Sequence, residues 1–82
     1  MHIEKTAPAD IPSLIWGDRS DKAYIFVHGK FSRKEEAGSF ADIAADRGYQ
    51  VLSFDLPRHG QRADEKYDCT IQNGFHDLCA IY

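Results

Sequence analysis

Cysteines are scarce in this sequence and long apolar runs are missing, and both facts narrow the classes of protein to which it can belong. Only Cys69 and Cys79 occur among the 82 residues, and they form no Cys-x-x-Cys pair. Two cysteines are too few for a disulfide scaffold, and their spacing does not indicate zinc or redox chemistry. No segment approaches the roughly 20 apolar residues that span a bilayer. The start of the chain also lacks the apolar region of a secretory signal, so we expect a cytoplasmic protein with no membrane partner.

An excess of positive charge is also missing. The chain has 10 Lys and Arg against 13 Asp and Glu, for a net charge of −3. Its basic residues stand among acids, as in the segment Arg33-Lys34-Glu35-Glu36. Nucleic-acid partners require a basic stripe to offset phosphate charge, so we expect none. His2 and His76 have no partners at the spacing of metal ligands, and we predict no metal site.

The remaining residues predict one small α/β domain over residues 1–82. Two continuous apolar runs, 23–27 and 51–55, are typical of strands covered on both faces of a parallel sheet. Two weaker segments, 2–6 and 11–16, predict a hairpin ahead of them. Trp16 and the phenylalanines are predicted to form the core; the latter are Phe26, Phe40, Phe54 and Phe75.

A helix is predicted between the two strong strands, which makes a right-handed βαβ unit. Ser32 and Glu35 have the spacing of a capping box, and Gly48 suits a left-handed cap at the helix end. An apolar stripe at helical spacing lies between these signals; its members are Ala37, Phe40, Ala41 and Ala44, with Ile43 as a further candidate.

A polar loop is expected over 58–68, and a second helix from Thr70. Ile71, Phe75, Leu78 and Tyr82 would share one face of this helix. The chain stops at Tyr82 without a helix-ending signal, and we interpret this as the loss of a continuing structure.

Each of the two strong strands is followed by a His-Gly pair. Ligands bind beyond the carboxyl ends of the strands in an open parallel sheet. One pair is His28-Gly29, and the other closes the run Asp55-Leu56-Pro57-Arg58-His59-Gly60. The two pairs and the helix between them resemble the N-terminal part of the α/β-hydrolase superfamily, over residues 11–82. Its esterase and serine-peptidase-like members are the most similar. Arg58 stands where glycine is frequent in that family.

The resemblance implies an antiparallel hairpin, a parallel βαβ unit and the start of a further helix, all from the N-terminal part of the family's sheet. It also implies ester, thioester or amide hydrolysis through an acyl-enzyme, with a small-molecule acyl substrate and no cofactor. In the family, the loop after strand three donates one backbone N–H to the oxyanion hole. That role falls on Lys30, with Phe31 as the fallback. Five further residues would shape the two loops: His28, Gly29, Asp55, His59 and Gly60.

The catalytic nucleophile of this family is missing. None of the five serines lies in a Gly-x-Ser-x-Gly frame, which the nucleophile requires. We therefore expect the chain to end before that motif and to be inactive alone.

Two other interpretations remain open. One is a truncated, non-catalytic domain that self-associates through the exposed edge of the 23–27 strand. The other is a histidine-phosphatase-like site, because Arg58-His59-Gly60 also resembles the Arg-His-Gly signature of those enzymes.

Overall fold

An antiparallel hairpin leads into a four-stranded mixed sheet, in a computed structural model that describes residues 1–66 and 69–81. The hairpin strands are β1 (Ile3–Thr6) and β2 (Ser13–Trp16). The strands β3 (Ala23–Val27) and β4 (Gln50–Phe54) pair in parallel, and the order across the sheet is β1-β2-β4-β3. This arrangement confirms the predicted α/β class, with its hairpin followed by a parallel βαβ unit. It also leaves β3 at one edge of the described sheet.

The crossover between β3 and β4 is a short 3-10 turn, Lys34–Ala37, that runs into α1 (Gly38–Asp46). The predicted capping box was wrong, because no side chain caps the start of this helical segment. The Ser32 hydroxyl instead hydrogen-bonds the Glu36 carboxylate. The end of α1 follows the prediction: Gly48 has a φ of +83° and its N–H bonds the Ala45 carbonyl.

The face of the sheet that α1 covers forms the closed core of the molecule. Paired residues of neighbouring strands point to the same face, so Trp16 and Val51, which are in register, lie side by side. They pack with Leu14 against three small residues of the crossover, Ala37, Ala41 and Ala44. The Trp16 Nε1–H donates to the Ser53 Oγ at 2.9 Å. That bond satisfies two polar groups that burial would otherwise leave without partners.

The opposite face of the sheet is less well covered. It meets α2 (Ile71–Ile81), which follows a 3-10 turn at Gly60–Arg62. The side chain of Val27 is 49% exposed and that of Phe75 is 65% exposed. Leu78 is only half-buried. An open apolar surface therefore remains between the sheet and α2.

The predicted core was correct in part. Trp16 and Phe54 are buried, and Phe26 packs against the core. The prediction for Phe75 was wrong, because it is 65% exposed; Ile43, the further candidate for the apolar stripe of the helix, is equally exposed. Phe40 lies at the margin, at 38% exposed, with its ring centroid 5.2 Å from that of Tyr24. Part of the predicted polar loop (67–68) and the predicted apolar Tyr82 lie outside the described residues.

Within the described ranges, none of the helices has the length and apolar character needed to cross a bilayer.

Candidate active-site loops

The two His-Gly loops meet because β3 and β4 are neighbours in the sheet and run in the same direction. Residues 28–33 follow β3, and residues 55–62 follow β4. Together with α2 they surround an open groove of about 940 Å³, which we call the loop groove. Its lining includes Val27, Lys30, Phe31, Leu56, Phe75 and Leu78. The structure therefore brings the predicted oxyanion loop to the wall of a cavity large enough for a small molecule.

His28, in the loop after β3, holds the backbone of the loop after β4. It is 3% exposed, and its Nε2 accepts the backbone N–H of Leu56 at 3.0 Å. Its Nδ1 lies 2.7 Å from the Gly29 carbonyl oxygen. Because a carbonyl can only accept, Nδ1 carries the proton and the ring is the neutral Nδ1–H tautomer. No nitrogen of His28 is left for proton transfer.

His59 makes the reciprocal contact. Its Nε2 accepts the backbone N–H of Phe31 at 3.0 Å, and its Nδ1 lies 2.9 Å from the Pro57 carbonyl oxygen. The same argument assigns the Nδ1–H tautomer. The two imidazole centroids are 5.0 Å apart. Each histidine thus fixes a backbone amide of the opposite loop, and we call this pair the histidine brace.

The brace distinguishes the two predicted oxyanion donors, Lys30 and Phe31. The Phe31 N–H is used by His59, and Phe31 has a left-handed φ of +66°. The Lys30 N–H has no acceptor among the residues that the structure describes, and Lys30 lines the loop groove. The Lys30 Nζ lies 5.1 Å from the centroid of the Phe31 ring. Of the two amides, the one at Lys30 is open to a ligand.

Asp55 anchors the loop after β4 from inside the protein. It has no exposed surface. Its Oδ1 accepts the Lys34 N–H at 2.9 Å, while its Oδ2 accepts the Lys34 Nζ and the Gln61 N–H, both at 3.0 Å. Burial alone would raise the pKa of Asp55, but these hydrogen bonds and the Lys34 charge lower it below its ordinary value. The carboxylate is thus held ionised as a structural group.

Gly60 is required where the loop passes over this carboxylate. Its φ is +53°, and a Cβ at this position would overlap the Asp55 carboxylate atoms. The second glycine, Gly29, has a different role, because its N–H donates to Glu36 Oε1 at 3.2 Å. Hydrogen bonds from Ser32 and Gly29 lower the pKa of Glu36.

Sequence reasoning missed three residues that form buried ion pairs beneath the loops, namely Lys34, Arg62 and Asp77. Lys34 is 4% exposed and pairs with Asp55. Burial lowers the pKa of its ammonium, but the hydrogen bonds and negative charges of Asp55 and Glu35 outweigh burial and raise the pKa above its ordinary value. Arg62 is buried, donates to the Asp55 carbonyl oxygen at 3.0 Å, and forms an ion pair with Asp77 of α2. No local pattern signals these pairs, because their members are 21 and 15 residues apart.

The described residues contain no nucleophile paired with a base. The Ser13, Ser20 and Ser53 hydroxyls bond to Ile11, to Gly48 and to Trp16. No hydrogen bond between a serine Oγ and a histidine nitrogen is found in the described ranges, and no group of three His, Cys, Asp or Glu side chains there could hold a metal ion.

Comparison with known proteins shows the fold. No family model and no curated protein matches the chain. The crystal structure of TT1662 from Thermus thermophilus is similar, with a TM-score of 0.64 at 21% sequence identity. The match covers 98% of this chain and 36% of TT1662. The chain therefore shares an α/β fold with TT1662 and spans about a third of the length of that protein.

Proposed function

We propose that these 82 residues supply the oxyanion loop of a serine hydrolase with the α/β-hydrolase fold. The enzyme would hydrolyse an ester, thioester or amide of a small acyl substrate through an acyl-enzyme. The Lys30 backbone N–H is the donor, aimed at the charge that develops on the acyl oxygen. The serine, the acid and the catalytic histidine belong to chain beyond Tyr82, so the 82 residues alone do not catalyse.

One observation carries this proposal. Of the two adjacent amides after β3, Phe31 N–H is held by the histidine brace, while Lys30 N–H lacks an acceptor in the described ranges and belongs to a groove wall. A catalytic amide must be fixed before the substrate arrives and must be left without an internal partner. The neighbouring bond to Phe31 meets the first requirement, and the free Lys30 amide meets the second.

The phosphatase interpretation is less well supported by the same geometry. A phosphoryl-accepting histidine needs a nitrogen lone pair directed at the substrate. The lone pair on His59 Nε2 already accepts the Phe31 N–H, and its Nδ1 faces the Pro57 carbonyl. The absence of activity on a general phosphomonoester would agree with this reasoning.

The first test is the reading frame beyond Tyr82. We expect a Gly-x-Ser-x-Gly motif within a few tens of residues, and labelling of its serine by a fluorophosphonate. The 82-residue chain alone should not be labelled. Labelling of a serine within residues 1–82, or a frame without that motif, contradicts the proposal.

The second test separates the backbone of Lys30 from its side chain in the active, longer protein. Lys30→Pro removes the N–H and should lower kcat by about 10²–10³-fold, as for other oxyanion donors. Lys30→Ala is the matched control, because it keeps the amide and should lower kcat far less than Lys30→Pro. Equal losses in both variants would assign the effect to the side chain and overturn the assignment.

A second proposal concerns β3, which pairs only with β4 among the described strands. We infer that the isolated chain self-associates along this edge, because an unpaired apolar strand edge is a template for another strand. Val27→Lys on β3 should reduce association, while Ile3→Lys on the opposite edge should not. The two wild-type residues are equally exposed, at 49% each. A monomer at all concentrations in light scattering contradicts this inference.

A further inference from the structure

The charge distribution around the loop groove differs from that of the whole chain. The sequence has more acidic than basic residues, with a net charge of −3. None of the described residues that line the groove is Asp or Glu, although Lys30 and Arg58 both belong to the lining. Glu36, which follows the loop after β3, accepts the Gly29 N–H and is not among the lining residues. The described lining therefore presents the Lys30 ammonium to the groove and contains no carboxylate.

The rest of the groove wall is apolar. Val27 of β3, Leu56 after β4, and Phe75 and Leu78 of α2 all contribute to it. Phe31 is 88% exposed and Phe75 is 65% exposed. Clustered apolar side chains at this degree of exposure mark a surface that a ligand or partner covers. Apolar walls with a few convergent polar groups are also typical of small-molecule sites.

We propose that the loop groove binds a single-chain carboxylate, with its alkyl chain along Leu56, Phe75 and Leu78. Its carboxylate lies against the backbone N–H and the ammonium of Lys30. This inference deepens the proposed function. It rests on that function in one respect: the carboxylate of the ligand is taken to occupy the place of the substrate's acyl group. The acyl group that the site accepts is then an apolar chain, and its acid product is the ligand that the groove retains.

Binding by the 82-residue chain tests the proposal without any catalysis. Sodium decanoate, below the concentration at which it forms micelles, is titrated into the ¹⁵N-labelled chain and followed by NMR. We expect saturable shifts of the Lys30 amide and of groove residues. Decyltrimethylammonium has the same chain with the opposite charge, and it should bind at least about tenfold more weakly. Acetate has the charge without the chain and should cause no saturable shift.

Two variants with matched controls locate the ligand. Phe75→Asp should weaken decanoate binding by about tenfold or more, because it adds a negative charge to the apolar wall. Ile43→Asp is the control, since Ile43 is also 65% exposed but lies on α1, away from the groove. Lys30→Glu should weaken binding at least about fivefold, and Lys5→Glu on β1 should not. Circular dichroism spectra equal to that of the parent chain establish that each variant is folded.

Three outcomes overturn the proposal. Equal affinity for the cationic and anionic amphiphiles would show that charge does not select the ligand. Shifts confined to residues outside the groove would place the site elsewhere. Sedimentation with phosphatidylglycerol vesicles, without saturable decanoate shifts, would identify the surface as membrane-binding instead. The absence of a nucleophile beyond Tyr82 would refute the proposed enzyme but would leave the decanoate titration unchanged, so the two failures are distinguishable.

Discussion

The loop after β3 and the loop after β4 contain the same His-Gly pair, yet their backbones are secured in different ways. The loop after β4 is fixed from beneath by Asp55 and Arg62, both of them buried. Among the described residues, the loop after β3 has no buried ion pair of its own; its buried His28 holds Leu56 of the other loop, and its Phe31 is held by His59. The loop after β4 is therefore anchored in the interior, and the histidine brace joins the two loops to each other.

This difference agrees with the separate roles that the proposed function gives to the two loops. A donor to an oxyanion must be both positioned and unoccupied, and a loop whose amides were all used internally could not offer one. The histidine brace positions Phe31 while leaving the adjacent Lys30 amide open. In the proposed enzyme, the loop after β4 would provide the rigidity, and the loop after β3 would provide the contact with the acyl oxygen.

The largest effect should follow from removing the anchor of the loop after β4. Asp55→Ala leaves two backbone N–H groups without their acceptor and leaves the buried Lys34 ammonium with only its ion pair to the more exposed Glu35. Breaking a buried ion pair from one side costs about 3–5 kcal/mol, a large part of the roughly 5–15 kcal/mol that stabilises a domain. Urea unfolding of Asp55→Ala and of the exposed control Asp64→Ala provides the measurement. Similar losses in both would show that the anchor is unimportant.

The same ion pair should set the pH range of stability. The pKa of Asp55 is lowered on folding from 3.8, so its contribution is present above that value and is lost as the pH falls through the folded pKa. The pKa of Lys34 is raised from 10.5, so its contribution is present below that value and is lost as the pH rises through the folded pKa. We expect the contribution of this pair to the free energy of unfolding to be constant between pH values well above 3.8 and well below 10.5. Asp55→Asn should flatten the acid-side decrease; an unchanged acid-side slope contradicts the assignment.

Gly60 offers another test of how the loop after β4 is held, because at this residue the loop passes directly over the Asp55 carboxylate. Gly60→Ala should cost about 2–4 kcal/mol, since a Cβ must be accommodated at positive φ and against the Asp55 carboxylate. Gly48→Ala is the matched control, with a φ of +83° and no atom within 4 Å of the added Cβ. It should cost only about 1–2 kcal/mol for the left-handed backbone. Thermal unfolding of both variants tests this, and equal losses would exclude the overlap as a cause.

The two halves of the histidine brace should differ in strength. His28→Phe removes the acceptor of Leu56 N–H in a buried setting and should cost about 1–3 kcal/mol. His59→Phe frees the exposed Phe31 N–H, where water can replace the ring nitrogen, and should cost about 0.5–1 kcal/mol. Its distinctive effect should be faster hydrogen exchange at Phe31 than in the parent chain. A larger loss of stability from His59→Phe than from His28→Phe would contradict the expectation that His28 contributes more to stability than His59.

Sequence reasoning was successful where the signals are local. The apolar runs around Ile25 and Leu52 predict two parallel strands, and Gly48 marks the helix end. It failed where distant residues decide the outcome. Ser32 and Glu35 satisfy the capping-box spacing, but Ser32 bonds Glu36 instead. The Lys34–Asp55 pair and the histidine brace join residues 21 and 28 positions apart, and no spacing rule predicts which polar side chains the fold brings together.

Arg58 gives the smallest expected effect and a physical reason for one feature of the sequence. It lies in the anchored loop with a φ of +65°, a conformation that costs a side-chain-bearing residue about 1–2 kcal/mol relative to glycine. Glycine adopts this conformation at little cost, which agrees with the resemblance that places Arg58 where glycine is frequent. Arg58→Gly should therefore be more stable than Arg58→Ala by about 0.5–1 kcal/mol, the backbone gain being reduced by the greater freedom of glycine in the unfolded chain. Because both variants lose the arginine side chain, the difference between their unfolding free energies isolates the backbone. If Arg58→Ala is equally stable, the left-handed turn carries no strain, and the loop after β4 is not held against its own backbone preference by the Asp55 anchor.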